Sequence, residues 1–408
     1  MAYRARPVAD AELALLLAAC RRPETPAEIA AFSAAASASI NWRRLVALAK
    51  RHRIAGLAYD ACYRAGVDEV VLQRCGLRDI AKEVASRSLR SAIETVQLQA
   101  QFDAAQLPAI ILKGAPLGIL AYGTVSIKEQ SDIDLLTTPE AVLAARRLLL
   151  DLGYTPRDPG GLDERQFLNF TQLTKEATFV GSGGQAIELH WRLLDCEGSL
   201  RGADPFADCR TVPLAGGQVR TLSDRLHLPY LACHGQGHGW SRLKWIADVN
   251  GYVLRHTDGK FDEMIENARS LAAHRPTEAA ILLCHDLLSM NVDSAIVQRI
   301  RRNSANRTLH WINWRCIVQP AGGCDLPMYS LITIMLILST LIVMPNRHGL
   351  NSVIATYWTK PTELIQSKEG SGFVYNLARL MGLIVRLPYR IVHDRIKFRK
   401  ARLAVKGD

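Results

Sequence analysis

The chain predicts an α+β protein in which a small mixed-sheet domain is embedded between N- and C-terminal helical regions. Three observations predict it. Residues 8–104 are rich in Ala and Leu at helical spacing, residues 105–223 alternate strand-like and helix-like segments, and from Ser223 onward the helical period returns. The implied division is 1–104, 105–223 and 224–408. At 408 residues the chain is long enough for two or three domains with sizeable cores.

In the first region, Trp42–Lys50 and Ala81–Gln101 repeat apolar residues every three or four positions, which gathers them on one helix face. Leu13–Ala19 is short and follows Asp10 and Glu12, which argues against a signal peptide. In the second region, Ala109–Leu112 reads as an apolar strand and Lys113-Gly114 as a turn, followed by a short helix and a loop. Ile133–Leu136 gives the next strand and Glu140–Leu152 a helix. Glu176-Ala-Thr-Phe-Val180 and Ala186-Ile-Glu-Leu-His-Trp191 flank the Gly-rich turn Gly181-Ser-Gly-Gly184 and read as a hairpin within Thr174–Leu194. Ser223-Asp224 before Arg225-Leu-His-Leu has the form of a helix start.

Chemistry concentrates in Ser131-Asp132-Ile133-Asp134-Leu135-Leu136. On a strand, side chains i and i+2 leave the same face, so Asp132 and Asp134 point together while Ile133 and Leu135 enter the core. Two like charges held side by side repel, and a cation between them removes that cost. Paired Asp oxygens suit Mg²⁺, which takes one or two carboxylates and completes its shell with phosphates and water. Just upstream, Gly114 permits tight backbone geometry before a helix N-terminus, and Lys113 adds a point charge suited to phosphate.

These residues carry a resemblance. Leu112-Lys113-Gly114, Tyr122, Lys128 and Asp132-Ile133-Asp134-Leu135-Leu136 resemble the bacterial uncharacterised nucleotidyltransferases of the polymerase-β-type superfamily. The chain has Lys-Gly where the wider superfamily has Gly-Ser, and Lys128 where the branch tends to have Arg. The resemblance implies a third carboxylate on a later strand that binds metal and activates the acceptor hydroxyl. It puts Glu188 of Ile187-Glu-Leu-His-Trp191 there, with Glu176 as the fallback. His190 shares a face with Glu188; an exposed or hydrogen-bonded strand histidine is the first reading of it, a proton shuttle or phosphate donor the second.

A second motif lies in the third region. His234-Gly-Gln-Gly-His238-Gly-Trp240-Ser-Arg242-Leu-Lys244-Trp245-Ile-Ala-Asp248 is similar to the same branch. Two histidines four apart can bind zinc, but no third ligand is evident and the glycines weaken the helix. The better reading turns Arg242 and Lys244 toward a triphosphate in the cleft and leaves His238 as a further site candidate. Lys244 and Asp248, four apart, could alternatively form a surface ion pair.

Composition sets the frame. Hydrophobic residues make up 49 % and charged ones 22 %, which is ordinary for a soluble globular protein. The nine cysteines show no C-x-x-C and no zinc spacing, which suggests reduced cytosolic thiols. Residues 299–408 hold 17 Lys+Arg against 5 Asp+Glu, whereas residues 1–298 hold 33 against 34. The basic excess, densest at Arg386–Arg390 and Arg395–Arg402, suits an anionic membrane surface, a polyanion or an acidic partner, and equally a solvated tail. From Leu326 to Asn346 no residue is charged, but Pro327 and Pro345 bracket the stretch and Ser330, Thr333, Ser339 and Thr340 interrupt it. A buried helix is expected there rather than a span of ~20 residues.

The resemblance implies transfer of a nucleoside monophosphate from a nucleoside triphosphate (NTP) to a hydroxyl or phosphate acceptor, with release of pyrophosphate. Two Mg²⁺ ions, or Mn²⁺, would serve at Asp132, Asp134 and Glu188. Lys113, Gly114, Lys128, Ser131, Arg242 and Lys244 would hold the nucleotide. The acceptor class is a sugar phosphate, a peptide or a protein, as in polysaccharide or peptide natural-product synthesis, and the expected location is cytoplasmic or membrane-peripheral. Two rivals keep the fold: a phosphosugar or glycosyl transferase, and a non-catalytic nucleotide-binding scaffold of a membrane-associated complex.

Overall fold

Of the N-terminal helices α1 (Ala11–Cys20), α2 (Pro26–Ala36), α3 (Trp42–His52), α4 (Ala55–Arg64), α5 (Glu69–Arg74) and α6 (Leu77–Ala104), polar side chains cap α1, α2, α3 and α5. Asp10 accepts from the Leu13 N–H at 3.0 Å, and Asn41 accepts from that of Arg44 at 3.0 Å. Thr25 and Glu28 cap each other reciprocally. The computed structural model describes residues 10–195, 198–256, 258–318 and 331–344. The long helix α6 turns Leu77, Val84, Ala92, Leu98 and Phe102 inward and backs the sheet.

The middle region contributes β1 (Ile110–Ile111), α7 (Ala115–Tyr122), β2 (Asp132–Leu136), α8 (Val142–Asp151), β3 (Thr155–Asp158), α9 (Glu164–Leu173), β4 (Glu176–Val180), β5 (Ala186–His190), β6 (Cys209–Leu214) and β7 (Gly217–Leu222). Together the strands make one seven-stranded mixed sheet in the order β3-β4-β5-β2-β1-β7-β6. β2 runs antiparallel to β1 and parallel to β5, and β1 runs parallel to β7. The α+β expectation therefore holds. The strand expected over Ala109–Leu112 is regular only at Ile110–Ile111, although the Leu112 N–H still bonds the Asp134 carbonyl at 3.0 Å.

Four elements go beyond the sequence reading: β3, α9 and the β6–β7 hairpin. The edge strand β3 is largely exposed, and Pro213 interrupts the alternation of β6, so neither offers a strong period.

Seven helices follow among the described residues: α10 (Asp224–Gly237), α11 (Leu243–His256), α12 (Phe261–Ser270), α13 (His274–Leu288), α14 (Ser294–Arg302), α15 (Ser304–Ile317) and α16 (Leu331–Val343). Ser223 stands at the N-cap position of α10 without a side-chain capping bond. One apolar core runs without a break from Leu13 through the sheet to Ile317. Helices α7 and α11 lie close enough that a Cβ on Gly251 would stand 2.8 Å from the Ala121 carbonyl oxygen, a contact only glycine permits.

α16 packs on α15 through Met335 against Ile312 and Cys316. No helix among the described residues is long and apolar enough to cross a membrane. The expected basic segments Arg386–Arg390 and Arg395–Arg402 lie outside the described residues, as do residues 326–330 and 345–346 of the uncharged stretch.

Candidate active site

The site is built on the parallel pairing of β2 with β5. That register sets Asp134 directly beside Glu188, and Leu136 beside His190. Paired residues on neighbouring strands leave the same face, so Asp132, Asp134, Glu188 and His190 all project to one side. Glu176 joins them from β4, where it pairs with His190. Ligand atoms of Asp134, Glu188 and His190 all lie within 4.8 Å of one another. Glu188 therefore shares the face of the Asp pair rather than the opposite one.

His190 is where the structure departs from the first reading. It is not exposed: 2 % of its side chain is accessible. Its Nε2 lies 3.4 Å from Asp134 and 3.7 Å from Glu188, and its Nδ1 lies 3.2 Å from Glu176. Burial alone would lower its pKa, but these three carboxylates outweigh burial and raise it. None of the contacts has hydrogen-bond geometry, so both ring nitrogens are buried without a hydrogen bond, and so is Asp134 Oδ2.

The orphaned Asp134 Oδ2 within a carboxylate cluster bears directly on a cation. Buried polar atoms left unpaired are costly, and a divalent ion satisfies several at once. The oxygen donors of Asp132, Asp134 and Glu188 suit a hard ion such as Mg²⁺ or Mn²⁺. The residues fit a divalent cation.

Lys113 stands over the same carboxylates. Its ammonium donates to Asp134 Oδ1 and lies 3.9 Å from Asp132 Oδ1. Burial opposes the Asp134 charge, yet Lys113 and His190 together hold that carboxyl well below its ordinary range. Glu188 moves the other way: burial raises it, and the Asp134 charge adds to the rise. The two adjacent carboxyls are thereby driven apart in acidity, one fixed as an anion and the other able to take a proton.

Gly114, with φ of +75°, follows Lys113 and opens α7. A Cβ there would crowd only the movable end of the Gln130 side chain, at 3.0 Å, so it is the backbone conformation that calls for glycine. Ser131 donates to Asp132 Oδ2 at 3.0 Å and accepts from Arg53 at 3.2 Å. Arg53 was not among the residues singled out from sequence. It ends α3 in the left-handed conformation, 78 positions from Ser131, and only the fold brings the two together.

Lys128, expected among the phosphate ligands, is buried, and its ammonium is committed to Asp248 at 2.5 Å. Asp248 also accepts from the Tyr122 hydroxyl at 2.9 Å. The reading of Lys244 and Asp248 as a surface pair is thus corrected: Asp248 faces inward because two buried donors from the sheet region need it.

Lys244 lies instead among cations. Burial and the charges of Lys128, Lys113 and Arg53 lower its pKa to about 8. His238 is lowered to about 4 by burial, then by Lys113 and Lys244. Its ring stacks on Trp245 at 4.7 Å with 7° between planes, and His234 meets it edge-on. Arg242 and Lys244 both lie over the Trp245 ring, at 6.0 and 5.5 Å. Helices α10 and α11 thus turn a basic, aromatic wall toward Lys113. The His234–His238 pair gains no third ligand among the described residues.

Compared with known proteins, residues 38–289 match the model of a family described as uncharacterised nucleotidyltransferase. No curated protein and no solved structure gives a significant match. The matched span runs from just before α3 to the end of α13, and so takes in the sheet, the carboxylates and the α10–α11 wall.

Proposed function

The chain belongs to the uncharacterised nucleotidyltransferase family and is a transferase of nucleotidyl groups, and from that premise we propose a metal-dependent transfer at the β2–β5 site. The reaction is attack of an acceptor hydroxyl or phosphate on the α-phosphate of an NTP, with pyrophosphate leaving. The observation that carries this reading is the register that pairs Asp134 with Glu188 above an unsatisfied Asp134 Oδ2.

Asp132, Asp134 and Glu188 would hold one or two divalent ions, Mg²⁺ or Mn²⁺. When bound, such ions neutralise charge on the attacking and leaving oxygens. Glu188, with its raised pKa, receives the proton of an acceptor hydroxyl. His190, between Asp134, Glu176 and Glu188, offsets part of their mutual repulsion. Gly114 leaves the backbone at the start of α7 approachable by phosphate. Ser131 and Arg53 at one rim, with Arg242 and Lys244 at the other, place cationic and hydroxyl donors where a triphosphate needs them. Lys128 acts at one remove, by fixing Asp248 and with it α11. The stacked His238 and Trp245 rings offer a flat wall to a base. The acceptor is a sugar phosphate, a peptide or a protein.

The test is pyrophosphate release by the full chain, with each of the four NTPs and either Mg²⁺ or Mn²⁺, against acceptor pools of those three classes. Release that needs the metal, and stops in Asp134→Asn, supports the reading. Metal-independent release, or none with any NTP and pool while nucleotide sugars are consumed, overturns it.

A further inference from the structure

Lys113 stands where a bound cation would. Its ammonium donates to one oxygen of Asp134 and lies 3.9 Å from Asp132, the two carboxylates that β2 presents together. Its side chain is 18 % accessible and that of Asp134 only 1 %. A single ammonium therefore sits on this carboxylate pair, while Asp134 Oδ2 has no hydrogen bond. A divalent ion on Asp132 and Asp134 and an ammonium in contact with Asp134 would be like charges a few ångströms apart. The repulsion between them is strong wherever water is scarce. One of the two has to leave, and only the lysine has a flexible four-carbon stem on which to swing.

We propose that Lys113 is an exchangeable resident cation: it occupies the carboxylates in the nucleotide-free protein and yields them to a divalent metal when a triphosphate arrives to receive its ammonium. This rests on the reading of the cleft as a metal and nucleotide site. Without phosphate, metal entry strips a largely buried ammonium of its anionic partner and leaves nothing in return. With phosphate present, the ammonium exchanges one oxyanion for another of similar strength. Metal and nucleotide then favour each other's binding, and the coupling is reciprocal. The arrangement keeps the nucleotide-free site closed to stray divalent ions. It also accounts for a lysine at a position where phosphate contact alone would not require a bond to Asp134.

The experiment is Mn²⁺ binding to the full chain followed by electron paramagnetic resonance, without nucleotide, for the parent protein, Lys113→Met and Lys113→Arg. Lys113→Met keeps the length of the stem and removes the charge. It should bind Mn²⁺ on the order of tenfold more tightly than the parent, within the usual range of such couplings. Lys113→Arg, which keeps the charge, should stay as weak as the parent. Thermal melting supplies a second readout: metal-free Lys113→Met should melt below the parent and recover when Mn²⁺ is added. Equal or weaker Mn²⁺ binding by Lys113→Met overturns the proposal while leaving the metal site in place. The same result in Lys113→Arg as in a tight-binding Lys113→Met overturns the charge argument. Absence of Mn²⁺ binding in all three proteins, even with a non-hydrolysable NTP, overturns the metal and nucleotide site itself.

Discussion

Asp134 and Glu188 occupy paired positions on neighbouring parallel strands, and their environments drive their acidities in opposite directions. Asp134 is held between Lys113 and His190, whereas Glu188 bears the repulsion of Asp134 at the more open edge. That asymmetry separates the two expected phenotypes of the carboxylate pair. Crowding alone would make either Asp→Asn change relieve repulsion in the metal-free protein. The Lys113 contact reverses the sign at Asp134. Asp134→Asn should lose pyrophosphate release by on the order of a hundredfold or more, and should lower metal-free stability by about 1–3 kcal/mol because Lys113 is left without its partner. Asp132→Asn, at a position 27 % accessible, should lose comparable activity with little change in melting temperature. Parent-like turnover in both variants would remove the metal assignment.

Lys244 gives the pH dependence. In the free protein its pKa is lowered to about 8 by burial and by the neighbouring cations. Its charge is present below that value and fades as pH rises through it, so affinity for an NTP should weaken above about pH 8. Lys244→Arg should flatten the decline, and Lys244→Met should remove it along with part of the affinity. The stability sign is opposite. The folded state favours neutral Lys244, so it binds fewer protons than the unfolded chain between about 8 and the ordinary lysine value, and Lys244 should add stability as pH rises across that window. Isothermal titration across pH 7 to 9 reads the first effect, and denaturant melts read the second.

Much of this site was legible because its signals are local. D-x-D on an apolar strand, Gly114 after an apolar strand, and Glu188-x-His190 beyond a Gly-rich turn each follow from the two-residue period of a strand. What was not legible depends on chain separation. Lys128 and Asp248 are 120 positions apart, and Arg53 and Ser131 are 78 apart. No periodicity relates such residues. Lys128 looked like a free phosphate ligand because the carboxylate that takes its charge, Asp248, is supplied by a distant helix. Likewise β6 and β7, whose pairing extends the sheet beyond β1, carry exposed polar residues and a proline that dilute the strand pattern. The family-level fold and the basic residues Arg242 and Lys244 were readable from sequence; the Lys128–Asp248 and Arg53–Ser131 bonds that tie the site to the helices around it were not.

The buried Lys128–Asp248 pair should behave as a joint. Asp248→Ala removes the acceptor of two buried donors, Lys128 and Tyr122. A loss of about 3 kcal/mol is expected, since an uncompensated buried charge costs more than the intact pair contributes. Lys128→Met combined with Asp248→Leu should recover much of it. Denaturant titrations of the two single variants and the double variant measure the coupling. Additive losses would show that the two residues act separately.

Trp245 should matter for the base rather than for the phosphates. Trp245→Ala should weaken NTP binding by roughly tenfold or more, in line with the stacking of a base on an aromatic ring. Inorganic tripolyphosphate should bind it nearly as before, and Trp245→Phe should restore most of the loss. Equal loss for NTP and tripolyphosphate would place the effect on the cationic rim instead.

The basic C-terminal quarter should govern association. Deleting residues from about 388 onward, where the densest basic run begins, should weaken binding to vesicles rich in anionic lipid. The difference should shrink at high salt, where the Debye length is short. Metal-dependent nucleotide binding should survive. Its loss in a folded truncation would mean that the tail contributes to the cleft.

The contact of Gly251 with the Ala121 carbonyl has a consequence for how this architecture can be rebuilt. Together with the Tyr122–Asp248 and Lys128–Asp248 bonds, it welds the helix carrying the basic wall to the segment that leads into the carboxylate strand. The sheet is therefore not a cassette. Grafted onto another helical partner, it would keep its carboxylates but lose the surface that aims a nucleotide at them, and a shuffled hybrid would need its own glycine at that crossing before the two halves could meet.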